Sequence, residues 1–118
     1  MKVKGFTLIE VLITLVILSV SLLALAVLMA TTTRSNSYGG HITEAATFVQ
    51  DKLEELRAIP WGSIPVGSTS DEISGATGTN YVRQLDIQQT GNLKTATITI
   101  NWADRGSHSI RLMSVMTQ

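Results

Sequence analysis

The stretch KGFTLIEVLITLVILSV, residues 4–20, decides how this chain is read. It opens an apolar run that continues to Ala30. Within residues 6–30 the only polar side chains are Thr7, Glu10, Thr14, Ser19 and Ser21. As a helix, that run measures roughly 37 Å against a hydrocarbon core of about 30 Å, enough to cross a bilayer. Glu10 fits a plain anchor poorly. It is a carboxylate near the start of the run, with no further charge before Arg34. An ionised acid in hydrocarbon costs roughly 2.5–3.5 kcal/mol even on lenient insertion scales. Nothing adjacent in the chain compensates it.

An ordinary secretory signal has a basic start, a shorter apolar stretch, and small residues at a cut just beyond it. Here the run is too long for that. Ala24 and Ala26, the nearest thing to a small-x-small site, lie inside it rather than ahead of the soluble part. Lys2 and Lys4 precede the run and hold its start on the cytoplasmic side. One reading of Glu10 is an acid near a helix end that snorkels to the interface.

The combination of Lys2, Lys4, Gly5, Phe6, Thr7-Leu8 and Glu10 ahead of a long uncharged stretch resembles the type IV pilins and pseudopilins. The resemblance implies a leader peptide, residues 1–5, removed by a prepilin peptidase that cuts after Gly5 and N-methylates Phe6. It also implies an assembly role for Glu10, whose carboxylate would meet the Phe6 amine of a neighbouring subunit. Such a pair in low dielectric offsets much of the desolvation of both charges, and it fixes register more than it adds stability. The implied partners are the prepilin peptidase, other pilins or minor pilins through the N-terminal helix, and an inner-membrane assembly platform. The implied location is the inner membrane, then a pilus or pseudopilus in the periplasm or at the cell surface.

The family places Pro in the spine of many main shaft subunits, where this chain has Val27, and a C-terminal disulfide in others, whereas this chain has no Cys. VQDKLEELRAIPW (residues 49–61) and ITINWADRGSHSIRL (residues 98–112) look like minor pilins of the pilus-modification type. The resemblance therefore points to a minor pilin, with a type II secretion pseudopilin as its alternative. A single-pass membrane-anchored binding or sensor module is the reading from another class.

The remainder of the chain can be read from pattern. TTTRSNSYGG, residues 31–40, is poor helix material and predicts a weak point around residues 35–40 of a near-continuous helix. Ile42, Ala45, Ala46, Val49, Leu53 and Leu56 recur at helical spacing, predicting an amphipathic helix over about 41–59 that Pro60 and Gly62 stop. Residues 60–80 read as a loop. Tyr81, Arg83, Leu85 and Ile87 alternate with Val82, Gln84 and Asp86, and Ala96, Ile98, Ile100 and Trp102 alternate cleanly with Thr95, Thr97, Thr99 and Asn101. With turns at Gly91-Asn92 and around Asp104 and Gly106, and with Ile110 and Leu112 inward, residues 81–116 predict a three-stranded antiparallel meander. The expected fold is α+β and pilin-like. A spine helix has its membrane half at residues 6–34, and its amphipathic half lies on the sheet of a head domain at residues 35–118.

Chemistry finds little purchase here. Nine Lys and Arg against nine Asp and Glu give a net charge of zero, and no basic stripe suggests nucleic acid. Asp71 and Glu72 lack the alternating oxygen ligands of a calcium loop. His41, read as a surface residue at a helix start, and His108, beside a turn, fall in different elements. No nucleophile elbow, phosphate loop or metal spacing appears, so neither a cofactor nor a metal site is expected, and the chain reads as the substrate of an enzyme rather than an enzyme.

Overall fold

The structure, a computed structural model, describes residues 4–118. Helix α1 spans Leu8–Ala58 and is followed by a short 3-10 turn, Trp61–Ser63. Four strands complete the chain: β1 (Gly67–Ser74), β2 (Asn80–Thr90), β3 (Leu93–Ala103) and β4 (Ser107–Thr117). The chain divides into two compact units at Gly39 and Gly40. Of the expected leader, Met1, Lys2 and Val3 lie outside the described residues.

In the N-terminal unit, α1 is apolar on all sides as far as Ala30, and every described side chain up to Gly39 is exposed. Its hydroxyls nevertheless have partners. Thr14 donates to the Glu10 carbonyl at 2.7 Å, Ser19 to Leu15 at 2.7 Å and Ser21 to Ile17 at 2.8 Å. Each bond goes one turn back, so none of these three hydroxyls needs water. The same bonds recur at the start of the segment read as poor helix material, through which the helix continues. Thr31, Thr32 and Thr33 donate to the Val27, Leu28 and Met29 carbonyls at 3.0, 3.0 and 2.9 Å. Gly39 and Gly40 are helical as well. Their cost, about 1 kcal/mol each relative to Ala, does not interrupt a helix supported on both flanks.

In the second unit, residues 40–58 of α1 present a buried stripe of His41, Ala45, Val49, Leu53 and Leu56. The sheet is an antiparallel meander of order β1-β2-β3-β4. Strand β3 alternates strictly: Lys94, Ala96, Ile98, Ile100 and Trp102 are buried, with Thr95, Thr97, Thr99 and Asn101 on the other face. Tyr81, Leu85 and Ile87 of β2 join them in one core with the helix stripe and Ile64. The apolar faces of helix and sheet cover each other, as their periodicities predict.

The sheet has four strands rather than three. Strand β1 lies inside the stretch read as a loop, pairing with β2 from Gly67 opposite Ile87 to Ser74 opposite Asn80. GSTSDEIS carries one apolar side chain, Ile73, so no alternation could reveal it. It is an edge strand with both faces wet, held by its ladder, by Ser68 Oγ donating to Asp86 at 2.7 Å and by the Asp71–Arg83 ion pair. The Gly91-Asn92 turn is as read, with Gly91 at φ 60°. At the β3–β4 turn the left-handed residue is Arg105, φ 53°, rather than Gly106. Ile110 packs partly buried on the core, whereas Leu112 is 42% exposed because the helix stops short of β4.

This arrangement fixes where the chain can be cut. A fragment beginning at Tyr38 keeps the helix stripe and is expected to be soluble and folded. One beginning at Pro60 exposes the Ile98, Ile100 and Trp102 face, at roughly 25 cal/mol per Å² of lost burial, and is expected not to fold. Far-UV circular dichroism with thermal melts distinguishes them, and a cooperative melt from the shorter fragment would contradict this core.

Candidate functional site

The sequence-predicted site residues gather at the start of α1. Gly5 is exposed, and a Cβ built there meets nothing within 4 Å, so no internal packing accounts for its being Gly. Phe6 is 84% exposed. Thr7 caps the helix: its Oγ1 accepts from the Glu10 N–H at 3.3 Å. Its carbonyl accepts from the N–H groups of Glu10 and Val11 at 3.1 and 3.2 Å. Phe6 and Glu10 line one open hollow of about 280 Å³ with Val11, Thr14 and Leu15.

Thr7 and Glu10 have the Thr-x-x-Glu spacing of a capping box, a local role that pattern reading overlooked although the signal was present. A carboxylate in the first turn also faces the positive end of the helix dipole, typically worth 0.3–1 kcal/mol. Among the described residues Glu10 has no ion-pair partner within 4.0 Å. Thr7 thus caps the Glu10 N–H, while the carboxylate is left open to a partner from outside.

A second polar group sits in the head, and sequence reading missed it. His41 was read as a surface residue, but it is buried at 8% exposure. Its Nδ1 lies 2.8 Å from the Tyr81 hydroxyl, and that hydroxyl donates to Glu44 Oε2 at 2.7 Å. With its single proton given to Glu44, Tyr81 accepts from His41, which assigns the hydrogen to Nδ1. His41 Nε2 faces Asp104 Oδ2 at 3.5 Å, and the Asp104 carbonyl lies 3.1 Å from His108 Nε2. Glu44 Oε1 also accepts the Ala76 N–H. This network ties α1 to the β1–β2 turn, to β2 and to the β3–β4 turn. No short-range motif could announce it, since His41 and Tyr81 alone lie 40 residues apart and Asp104 lies farther still.

The hydrogen bond from Tyr81, then that from Ala76 and the nearby His41, hold the Glu44 carboxyl below its usual range. Burial first, then Glu44, pushes the Tyr81 phenol well above its usual range. Asp71 is lowered by the Arg83 guanidinium, which also donates to the Phe48 carbonyl at 3.3 Å. Asp71 is therefore a strand residue in an ion pair, not part of a solvated loop. Lys94, buried on the core side of β3, donates to the carbonyls of Trp61 and Ile64 at 2.8 and 2.9 Å. Its ammonium also stands 4.4 Å from the Trp61 ring centroid. Backbone oxygens and a π face satisfy this cation, and it pins the 3-10 turn across the end of the core.

A profile for the prokaryotic N-terminal methylation motif matches residues 1–31. No curated protein and no solved structure gives a significant match. The motif, together with the long N-terminal helix, fits the type IV pilin superfamily, and it implies processing by prepilin peptidase and membrane assembly with other pilins. Gly5, Phe6 and Glu10 all lie within the matched residues.

The head network sets the pH dependence of stability. Glu44 and Asp71 have lowered values in the folded state, so their stabilisation is present above the unfolded carboxylate range and lost as pH falls below roughly 4. Tyr81 has a raised value, so its stabilisation is present below the unfolded phenol value and lost as pH rises above roughly 10. Denaturant melts are expected to show a plateau between these limits. Glu44→Gln is expected to flatten the acid limb, and an unchanged acid limb would remove Glu44 from the account. Gly75 supplies a steric test. A Cβ there would come within 2.6 Å of Tyr81 Cε2 and 2.7 Å of Glu44 Oε2. Gly75→Ala is expected to displace the Glu44 carboxylate and destabilise the head by about 1–3 kcal/mol. A neutral substitution would mean that the network yields without loss.

Proposed function

We propose that this chain is a minor pilin, a structural subunit that enters a type IV pilus through its N-terminal helix. The supporting observation is an apolar helix, exposed on every side from Leu8 to Met29, that carries a single carboxylate, Glu10, with no ion-pair partner among the described residues. A helix apolar all round must be covered by lipid or by other helices. The absence of Pro at Val27 and of any Cys favours a minor subunit over the main shaft protein.

In this reading the chain is a substrate, not a catalyst. The prepilin peptidase hydrolyses the Gly5–Phe6 peptide bond, leaving the leader's carboxylate on Gly5 and a cationic amine on Phe6, which is then methylated. Exposure of Gly5 and Phe6 ahead of the helix suits an extended segment entering a peptidase cleft. Held first in the inner membrane, the mature subunit moves into the filament. There the Glu10 carboxylate pairs with the Phe6 amine of a neighbour, and the pairing selects the axial step. The assembly platform and neighbouring pilins are the partners this requires.

Mass spectrometry of the N-terminus after co-expression with a prepilin peptidase is expected to find N-methyl-phenylalanine at Phe6. An intact Met1 or a cut near Ala26 would end this reading. Substitutions at Glu10 then separate its two roles. Gln at the third helical position still serves a capping box, whereas Ala does not. If the charge pair drives assembly, Glu10→Gln and Glu10→Ala both leave a buried amine unpaired. That costs about 3–5 kcal/mol and lowers incorporation into sheared pili on the order of 100-fold or more. If Glu10→Gln assembles normally and only Glu10→Ala fails, capping is the role. Mature protein that never enters sheared pili, together with a secretion defect on deletion, would reassign the chain to a pseudopilus.

A further inference from the structure

We infer that the free edge of β4 is a docking edge, where an extended segment of a partner protein, with alternating apolar residues and at least one acid, adds as a further strand. Strand β4 is the last in the sheet and pairs only with β3, from Thr117 opposite Leu93 to Ser107 opposite Ala103. Its outer side therefore offers a row of backbone N–H and C=O groups over 11 residues. Its sequence, SHSIRLMSVMT, contains no acid, Pro or Gly.

The opposite edge shows what protection looks like in this molecule. Strand β1 is 8 residues long, begins at Gly67 and carries Asp71 and Glu72 in its centre. Short length and charge are devices that keep an edge from pairing. Strand β4 is 11 residues long, and Arg111 is its one permanently charged side chain. Its side chains invite a neighbour instead: Met113 is 65% and Val115 58% exposed.

The surface beside this edge is also incomplete. Helix α1 covers β2 and β3 and leaves a groove of about 350 Å³ along β4, lined by Val49, Leu53, Ile110, Leu112, Arg57 and Arg111 among others. A strand laid against β4 would place every second side chain over this groove, the arrangement by which added strands gain affinity from backbone bonds and specificity from pockets. Charge decides the occupant. Arg57 and Arg111 make no ion pair among the described residues, and the nearest partner of Arg111 is the Thr99 hydroxyl at 3.4 Å. A second copy presenting its own β4 would bring Arg111 and Arg57 toward their like, with no acid on that strand to meet them. Arg57 stands on the groove side and Arg111, opposite Thr99, on the outer face of the sheet, so an acidic, apolar segment meets a cation on whichever face carries its acids.

The test uses the full chain in detergent micelles and short synthetic peptides that alternate valine with glutamate, valine with lysine, or valine with glutamate interrupted by a central proline. Amide hydrogen exchange and titration are the readouts. The acidic peptide is expected to bind at least tenfold tighter than the basic one and to protect alternate amides of β4, and the proline-interrupted peptide to lose that protection. The double substitution Arg57→Glu with Arg111→Glu is expected to invert the preference toward the basic peptide. Leu112→Asp, at a half-exposed position, is expected to abolish binding of the acidic peptide with the circular dichroism unchanged. Equal affinity for both charges, or protection confined to β1, would overturn the proposal. So would protection of β4 that grows with protein concentration in the absence of peptide, since that would assign the edge to a second copy.

Discussion

A sheet whose apolar residues all point one way cannot stand in water alone, and this chain has one segment able to cover it, residues 40–58 of α1. That constraint orders the head domain. Val49, Leu53 and Leu56 lie over Ile98, Ile100 and Trp102, and the remaining features secure the edges of that contact. Lys94 closes one end by gathering the Trp61 and Ile64 carbonyls. The Glu44–Tyr81–His41 network closes the other, drawing two turns against the helix. A small domain without disulfides is thus held by one buried layer with a polar clasp at each end.

Much of this was legible in the residues, for a physical reason. Periodicity reports burial, so the helix stripe and the strict alternation of β3 could be read directly. What escaped was whatever burial did not mark. Strand β1 is wet on both faces and carries no pattern. Lys94 occupies a core position that alternation alone would reserve for an apolar residue, and only the approach of two distant carbonyls makes it acceptable. His41 follows two Gly and looks like surface, yet Tyr81, forty residues away, buries it. Thr31, Thr32 and Thr33 were weighed by propensity, while their hydroxyls answer to carbonyls one turn back. At the N-terminus, the residues singled out by motif do lie together. The structure adds the Thr7 cap, which spacing could have disclosed.

Under the proposed function, Glu10 serves two scales of organisation. Locally it completes a first turn that begins at Thr7. Beyond the chain, in the proposed filament, the desolvation of its carboxylate is offset opposite a neighbour's cation. The local role needs only a hydrogen-bond acceptor, whereas the external one needs the charge. The two roles impose different chemical demands on the same atoms.

The back-bonded hydroxyls of α1 have a further consequence. Because Thr14, Ser19, Ser21 and the three threonines near residue 32 spend their hydrogens on their own helix, none depends on the phase around it. Water can leave these groups or return to them without breaking a bond. These six hydroxyls are therefore indifferent to depth. Sliding the helix along the bilayer normal is resisted by its aliphatic side chains and by Glu10, not by these hydroxyls. A segment built this way can be handed from lipid to a protein-lined interior with its hydrogen bonding unchanged throughout the passage.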